Sequence, residues 1–329
     1  MVTPIVYVVI SDESDCYLEQ ACLSAFSLRI HNPTAMVILI TDNSSNKTFK
    51  GKRHNLLYNF DKVIEVDVPD ILSKMQRSRY IKTSLRRYLE GDYLYIDSDT
   101  IIADKLDDID SIQGEIGAVK DLHLNIDRHS LKQSILTSAK KIGWSISNLD
   151  TPYYNSGVLY VKDTPNTRSF YEKWHKYWIE GVASGRSIDQ PSFGKTISGS
   201  SVIITELDGV WNCQVTENGL RFLAKAKIIH YFASHSLTNS PYSYLFQDQS
   251  IYTEIKQHGK LSDKIKLLIA YPKEAFPEKL LLISDMDVDF FFSPITKSVR
   301  LIYYSYPTLW NKVEIVLRKI RNWLFPVKL

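Results

Sequence analysis

Tyr93-Leu94-Tyr95-Ile96-Asp97-Ser98-Asp99 runs from four bulky residues straight into two carboxylates separated by one residue. A run of this composition and length reads as a strand buried on both faces, the kind found in parallel sheets. Asp is common where strands stop, so an acidic turn is one reading of its end. The other is a cation site, because two carboxylates at a strand end can offer oxygen ligands to one hard divalent ion. Upstream, Ile5-Val6-Tyr7-Val8-Val9-Ile10 ends at Ser11-Asp12-Glu13, and Met36-Val37-Ile38-Leu39-Ile40 closes at Thr41-Asp42-Asn43. Val63-Ile64-Glu65-Val66 adds a further strand. Residues 15–30 carry Leu18, Cys22, Ala25, Phe26 and Ile30 at helical spacing. They stop at Asn32-Pro33, where proline cannot continue the helix. A polar, basic helix from about Ser73 to Leu89 precedes the Tyr93 strand. Strand, helix, strand, strand, helix, strand predicts an α/β sheet with right-handed crossovers. Open sheets of that type bind ligands beyond the carboxyl ends of their strands, and three of these four strands end there in carboxylates or amides.

Downstream, Tyr153–Val161 reads as a strand carrying Asn155-Ser156-Gly157. Phe170, Tyr171, Trp174, Tyr177 and Trp178 follow at helical spacing, which is the pattern of core packing rather than of a cofactor box. Lys227-Ile228-Ile229-His230-Tyr231 is a short strand with a histidine at its end. Alone, such a histidine is a hydrogen-bonded core residue. Beside two carboxylates it favours Mn2+ over Mg2+ or Ca2+, because nitrogen ligands suit transition metals. His123, His129 and His235 make weaker candidates, and His31, His54, His175 and His258 read as surface residues. Asp104, Asp107, Asp108 and Asp110 read as a solvated loop, not as further ligands. The basic helix holds Arg77, Arg79, Lys82, Arg86 and Arg87. It is either a solvated face or, at Arg79 or Lys82, turned toward the carboxylates to pair with a phosphate.

Composition narrows the field. The 329 residues suffice for a sizeable core, and 40 Lys+Arg against 37 Asp+Glu is too even a balance to argue for a nucleic-acid partner. Three cysteines without a CxxC exclude a disulfide framework and a cysteine zinc site. No apolar run approaches a bilayer span, and the N-terminus lacks the features of a signal peptide, so a cytoplasmic location is expected. There is no GxxxxGK-S/T, no GxGxxG and no GxSxG. A metal-binding DxD without a P-loop points to a nucleotide-sugar as the phosphate-bearing substrate. A break near residue 240 separates an α/β unit, 1–240, from a more irregular and basic region, 241–329.

Taken in order, Tyr95-Ile96-Asp97-Ser98-Asp99, Tyr154-Asn155-Ser156-Gly157-Val158, Asp189-Gln190 and Ile228-Ile229-His230-Tyr231 resemble the family-eight retaining glycosyltransferases over roughly residues 4–235. That family includes bacterial galactosyl- and glucosyltransferases of surface glycans. The resemblance implies the GT-A nucleotide-sugar-binding fold, with a mostly parallel central sheet flanked by helices and here a C-terminal helical extension. It implies a UDP-sugar donor and Mn2+, or Mg2+, held by Asp97, Asp99 and His230. Ser11 and Asp12 would sit by the uracil and ribose, with Ser98; Tyr17 would stack there. Lys82 falls near a position where the family usually has an arginine contacting the donor. Asn155 and Asp189 would hydrogen-bond the transferred sugar, and Gln190 would lie against its reacting face. Two departures stand out. The family commonly follows its late histidine with a glycine and a phosphate-touching lysine, whereas residues 231–237 here hold no lysine, and Pro191 follows Gln190 where an acidic residue often stands.

The expected reaction moves galactose or glucose to a hydroxyl of a surface-glycan, lipid-linked or protein-linked acceptor. Gln190 is a poor nucleophile, so same-face attack assisted by the leaving phosphate is favoured over a covalent intermediate. From Trp310 to Leu324, Trp310, Val313, Val316, Leu317, Ile320, Trp323 and Leu324 share one helical face, and Lys312, Arg318, Lys319 and Arg321 the other. This basic amphipathic helix, near 308–325, either packs on the domain or rests on anionic lipid at the cytoplasmic face of the inner or plasma membrane. Two alternatives remain from the sequence: a catalytically silent GT-A domain acting as a binding or assembly partner, and a sugar nucleotidyltransferase. The absence of a Gly-rich, basic loop after the first strand of this chain counts against the second.

Overall fold

The computed structural model describes residues 1–215, 218–232, 244–276 and 285–324. Its strands are β1 (Ile5–Val8), β2 (Val37–Asp42), β3 (Lys62–Val66), β4 (Tyr93–Ile96) and β5 (Thr100–Ile102), followed by β6 (Ile116–Asn125), β7 (Pro152–Val161), β8 (Ile204–Glu206), β9 (Cys213–Gln214) and β10 (Ile228–His230). Its helices begin with α1 (Tyr17–His31), α2 (Asn43–Asn46), α3 (Lys74–Thr83), α4 (Lys132–Lys141), α5 (Pro165–Ala183) and α6 (Gln190–Ser198). Then come α7 (Gln249–His258), α8 (Asp263–Ala270), α9 (Asp285–Phe291), α10 (Pro294–Ser305) and α11 (Pro307–Leu324).

Seven strands form the main sheet in the order β3-β2-β1-β4-β7-β6-β8, and β5-β10-β9 form a small second sheet. The half built from β3, β2, β1 and β4 is parallel, as the apolar runs predict. β7 is antiparallel to both β4 and β6, and β8 is parallel to β6, so the sheet is mixed but mostly parallel. Alternation along β4 explains why its run is unbroken. Leu94 and Ile96 enter one core, with Ile5, Tyr7 and α1, while Tyr93 and Tyr95 enter the other, with Val6, Val8 and α5. Each such side chain adds roughly 1.5–3 kcal/mol by leaving water.

The basic stretch after Ser73 is shorter as an α-helix than its pattern suggests. A capping box between Ser73 and Gln76 starts α3. The α-helix ends at Thr83, and a single 3-10 turn, Leu85–Arg87, leads on to β4. The boundary expected near residue 240 lies outside the described residues. Beyond it, Tyr244, Phe246, Tyr252, Ile255, Ile265 and Ile269 are buried in the same core as β1 and α1. α10 buries no residue, and α11 packs along it. Among the described residues no helix is long and apolar enough to cross a membrane.

Candidate active site

The end of β4 is the point where the chain leaves one sheet for the other. Asp97 N–H donates to Gly157 O on β7 (2.7 Å), and the chain then turns into β5. β10 runs antiparallel to β5 with His230 opposite Thr100, and Tyr231 N–H donates to Asp99 O (3.1 Å). That register delivers the imidazole to the DxD from the far end of the sequence. Ligand atoms of Asp97, Asp99 and His230 lie within 4.8 Å of one another. Position 157 takes glycine, because a Cβ there would stand 2.6 Å from both Asp97 Oδ2 and His230 Cε1.

A chain of hydrogen bonds fixes which nitrogen of His230 is free. Gly157 N–H donates to Asn155 Oδ1 (2.8 Å), which sets that amide so that its Nδ2 donates to Asp121 Oδ1 (2.8 Å). Asn212 Nδ2 donates to the same Asn155 Oδ1 (3.0 Å), so Asn212 Oδ1 must accept from His230 Nδ1 (3.0 Å). In the neutral tautomer this leaves the lone pair on Nε2, which lies 3.3 Å from Asp99 Oδ1. Two carboxylates and an imidazole held through its other nitrogen form a mixed oxygen and nitrogen donor set that fits a divalent transition ion.

Cations close the other side. Lys82 is 2% exposed, and its Nζ lies 3.3 Å from Asp97 Oδ1 and 3.3 Å from Asp189 Oδ2, above the Tyr95 ring. Arg79, one turn earlier, places Nε 3.2 Å from Asp189 Oδ1. Tyr95 donates its hydroxyl to Asp97. Burial alone would raise the Asp189 carboxyl, but Lys82, Arg79 and the Ser156 hydroxyl outweigh it and hold it down at about 2. Arg77 pairs with Asp42, and Arg86 is buried with its guanidinium on the carbonyls of Gly91 and Val161. This face of α3 and the turn after it is therefore not simply solvated.

The aromatic helix also serves the site. Phe170, Tyr171, Trp174 and Trp178 are core residues, as their spacing predicts. In addition, Trp174 Nε1 donates to Asp189 O (3.1 Å) and Trp178 Nε1 to Ser187 O (3.0 Å), tying down the loop that enters α6. Pro191 falls in the first turn of α6, where its missing N–H costs nothing. Gln190 precedes it, half-buried, with its side chain beside Asp121.

At the end of β1, Ser11 is buried, accepting from Arg53 Nη2 (2.7 Å) and donating to Asp15 (2.6 Å). Lys74 clamps Asp12 (2.6 Å) and Asp15 (3.0 Å), and this contact, with the Ser14 hydroxyl, depresses the Asp12 carboxyl. Tyr17 opens α1 and is 45% exposed; Ser98 is half-buried between the two carboxylates.

Sequence reasoning missed Asp121 altogether and placed His129 too low. His129 Nε2 lies 3.0 Å from Asp121 Oδ2, and both are buried. Burial raises the Asp121 carboxyl, but His129, Asn155 and Gln190 together hold it below its usual value. The available signal was a carboxylate set inside the apolar stretch from Ile116 to Leu122. Leu122 (φ 50°) and His123 (φ 56°) follow it in the left-handed region, strain of the kind that gathers at functional sites. His175 corrects a surface reading: it is 6% exposed, with Nδ1 2.8 Å from Thr83 Oγ1. His31 is half-buried, while His54 and His258 are exposed. His235 and the rest of residues 233–237 lie outside the described residues, as do the side chains of Arg321 and Leu324.

The sequence matches the family described as Glycosyl transferase family 8 over residues 8–235, so the chain belongs to that family and is a glycosyltransferase. No curated protein matches it by sequence. Its fold is similar to that of the galactosyltransferase LgtC, solved in complex with donor and acceptor sugar analogs. The two are 17% identical, the match covers 80% of this chain and 99% of LgtC, and the TM-score is 0.52. An active-site mutant of LgtC matches at 16% identity over 80% of this chain and 99% of the mutant, with a TM-score of 0.53. Mouse xyloside xylosyltransferase 1 matches at 14% identity over 72% of this chain and 100% of its own, with a TM-score of 0.48. The architecture is GT-A.

Proposed function

We propose that the chain transfers a hexose, galactose or glucose, from a UDP-sugar to a hydroxyl of a surface-glycan, lipid-linked or protein-linked acceptor, with retention of configuration. The observation that carries this reading is the Asp97, Asp99 and His230 cluster at the carboxyl end of β4, walled by Lys82 and Arg79. Asp97, Asp99 and His230 would hold Mn2+ or Mg2+. Bound there, a divalent cation supplies positive charge to the departing diphosphate. Lys82 and Arg79 add fixed charge on the same side, so one of them takes the place of the lysine that residues 231–237 lack. Asp12, Tyr17 and Ser98 take the nucleoside, with Ser11 shaping the loop beneath it.

Asn155 and Asp189 hydrogen-bond the transferred sugar, and Gln190 stands at its reacting face. Same-face attack is favoured because the buried carboxylates nearby are already committed. Asp189 gives one oxygen to Arg79 and the other to Lys82 and Ser156; Asp121 gives one to Asn155 and the other to His129. Neither is free to act as a nucleophile. The acceptor hydroxyl then needs orientation more than activation.

The exposed apolar residues of α11, with its basic ones, support peripheral contact with anionic lipid at the cytoplasmic face of a membrane. Such a contact would suit a lipid-linked acceptor.

The test is UDP release from a panel of UDP-sugars with Mn2+, with and without EDTA. Metal-dependent hydrolysis of one sugar is expected, and Asp99→Ala should weaken Mn2+-dependent UDP binding more than tenfold, about the loss of one ligand. Unchanged binding by that variant would remove the centre of this reading.

A further inference from the structure

A cavity of about 380 Å³ lies at the other end of β4, lined by Ser84, Arg86, Arg87, Arg168, Tyr171 and Glu172. Arg86 reaches Gly91 O and its guanidinium covers the ring of Tyr93, the first residue of the strand whose last leads into the DxD. Four strand residues at about 3.3 Å each separate the two places. Substrates of open α/β sheets sit at the carboxyl ends of strands, so a polar cavity at the amino end is not an extension of the transferase site.

The lining is basic and incompletely bonded. Arg86 is 5% exposed, and its Nε makes no hydrogen bond. The hydroxyl of Tyr171, which lines the cavity, is buried and faces that of Tyr93. Burial pushes Tyr171 up to about 12, which keeps its proton available for donation. Arg87 is exposed and has no carboxylate partner among the described residues. Asp163 answers part of this charge, at 2.7 Å from Arg168 and 3.7 Å from Arg86. A buried polar donor without a partner costs about 1–3 kcal/mol, so the unbonded Nε of Arg86 in this basic lining points to a ligand.

We propose that this cavity binds a phosphate-bearing small molecule, its phosphate on Arg87 and Arg168 with the free Nε–H of Arg86 beside it, and its organic part beside Glu172. Guanidinium groups match phosphate oxygens in paired hydrogen bonds, a volume above about 300 Å³ is that of small-molecule sites, and Glu172 provides an acceptor for a ligand hydroxyl. The turn that forms one wall continues directly from α3, so the site adjoins the element that carries Arg79 and Lys82.

The experiment is calorimetric titration of the full chain with glucose 6-phosphate and, separately, inorganic phosphate at constant ionic strength, with and without UDP and Mn2+. Binding of glucose 6-phosphate is expected in both conditions, several-fold tighter than inorganic phosphate. Arg87→Gln with Arg168→Gln should weaken it about a hundredfold while leaving UDP binding unchanged. Arg87→Glu, an exposed change that cannot unfold the chain, should by itself remove most of the affinity. Displacement by UDP would place the ligand at the DxD instead and overturn the proposal. So would equal affinity in the native and double-variant proteins, or equal affinity for the two probes, or no binding.

Discussion

α5 and α11 are both aromatic amphipathic helices, and they meet opposite fates. Trp174 and Trp178 of α5 are 0% exposed, the first packed against the main sheet and α6 and the second against Tyr80 of α3, whereas Trp323 of α11 is 80% exposed. Val316, Leu317 and Ile320 of α11 are also about half exposed, at 55%, 44% and 47%. Periodicity reports that a helix has an apolar face; it does not report what covers that face. In α5 the cover is the rest of the domain, and the tryptophans do a second task by holding Ser187 and Asp189. In α11 the main cover among the described residues is α10, which buries nothing of its own.

The largest expected effect lies on the covered helix. Trp174→Ala should cost about 3–5 kcal/mol in denaturant unfolding, the range for emptying a large aromatic from a core. Trp174→Phe sharpens the point. It keeps most of the volume but removes the N–H that bonds Asp189 O. Its stability should fall by less than half as much, while kcat/KM for the donor falls about tenfold, the loss of about one hydrogen bond's worth of positioning. If Trp174→Phe lost stability but no activity, the helix would be packing alone, and its difference from α11 would be one of burial only.

Next in size is a pH effect confined to the covered regions. His175 on α5 is held down at about 4 by burial and secondarily by Arg87, and His123 is held down at about 4 by burial and secondarily by Arg221. An unfolded histidine titrates near 6.5, at which pH the folded rings stay neutral. Below about 6.5 the unfolded chain gains protons that the native one refuses until about 4. The stabilising contribution is therefore full above 6.5 and lost as pH falls from 6.5 toward 4. His175→Phe should remove about one proton from the pH dependence of unfolding between pH 6.5 and 5, and deletion of α11 should remove none. A deletion that also flattened the slope would mean α11 touches the titrating core.

The parts of the fold that could be read from the chain are those whose environment is uniform. β1, β2 and β4 are buried on both faces, so composition alone marks them. β5, β8 and β9 are three residues or fewer, too short to show a period. β6 was hidden because Lys120 and Asp121 interrupt its apolar run and two register shifts break its pairing with β7. The DxD, Asn155-Ser156-Gly157, Asp189 and His230 were legible as motifs. The bonds linking them through Asp121, His129 and Asn212 were not, because those residues meet only after the sheet closes. His175 was legible and overlooked: it follows Tyr171 by four residues and precedes Trp178 by three, on the same buried stripe as Trp174.

The smallest effect should fall on α11. Trp323→Ala removes a side chain that is 80% exposed, and surface changes of that kind stay within about 0.5 kcal/mol. Deletion of residues 307–329 should move the melting temperature by no more than about 2 °C, since among the described residues α11 packs chiefly on α10. The same deletion should abolish sedimentation with anionic vesicles, and for the intact chain that sedimentation should weaken as salt rises, because the basic residues act through a screened field. A fall of several kcal/mol on deletion would show that the apolar face of α11 is covered by the protein itself. The tail would then be a second α5, and its tryptophan and basic residues would need no membrane to explain them.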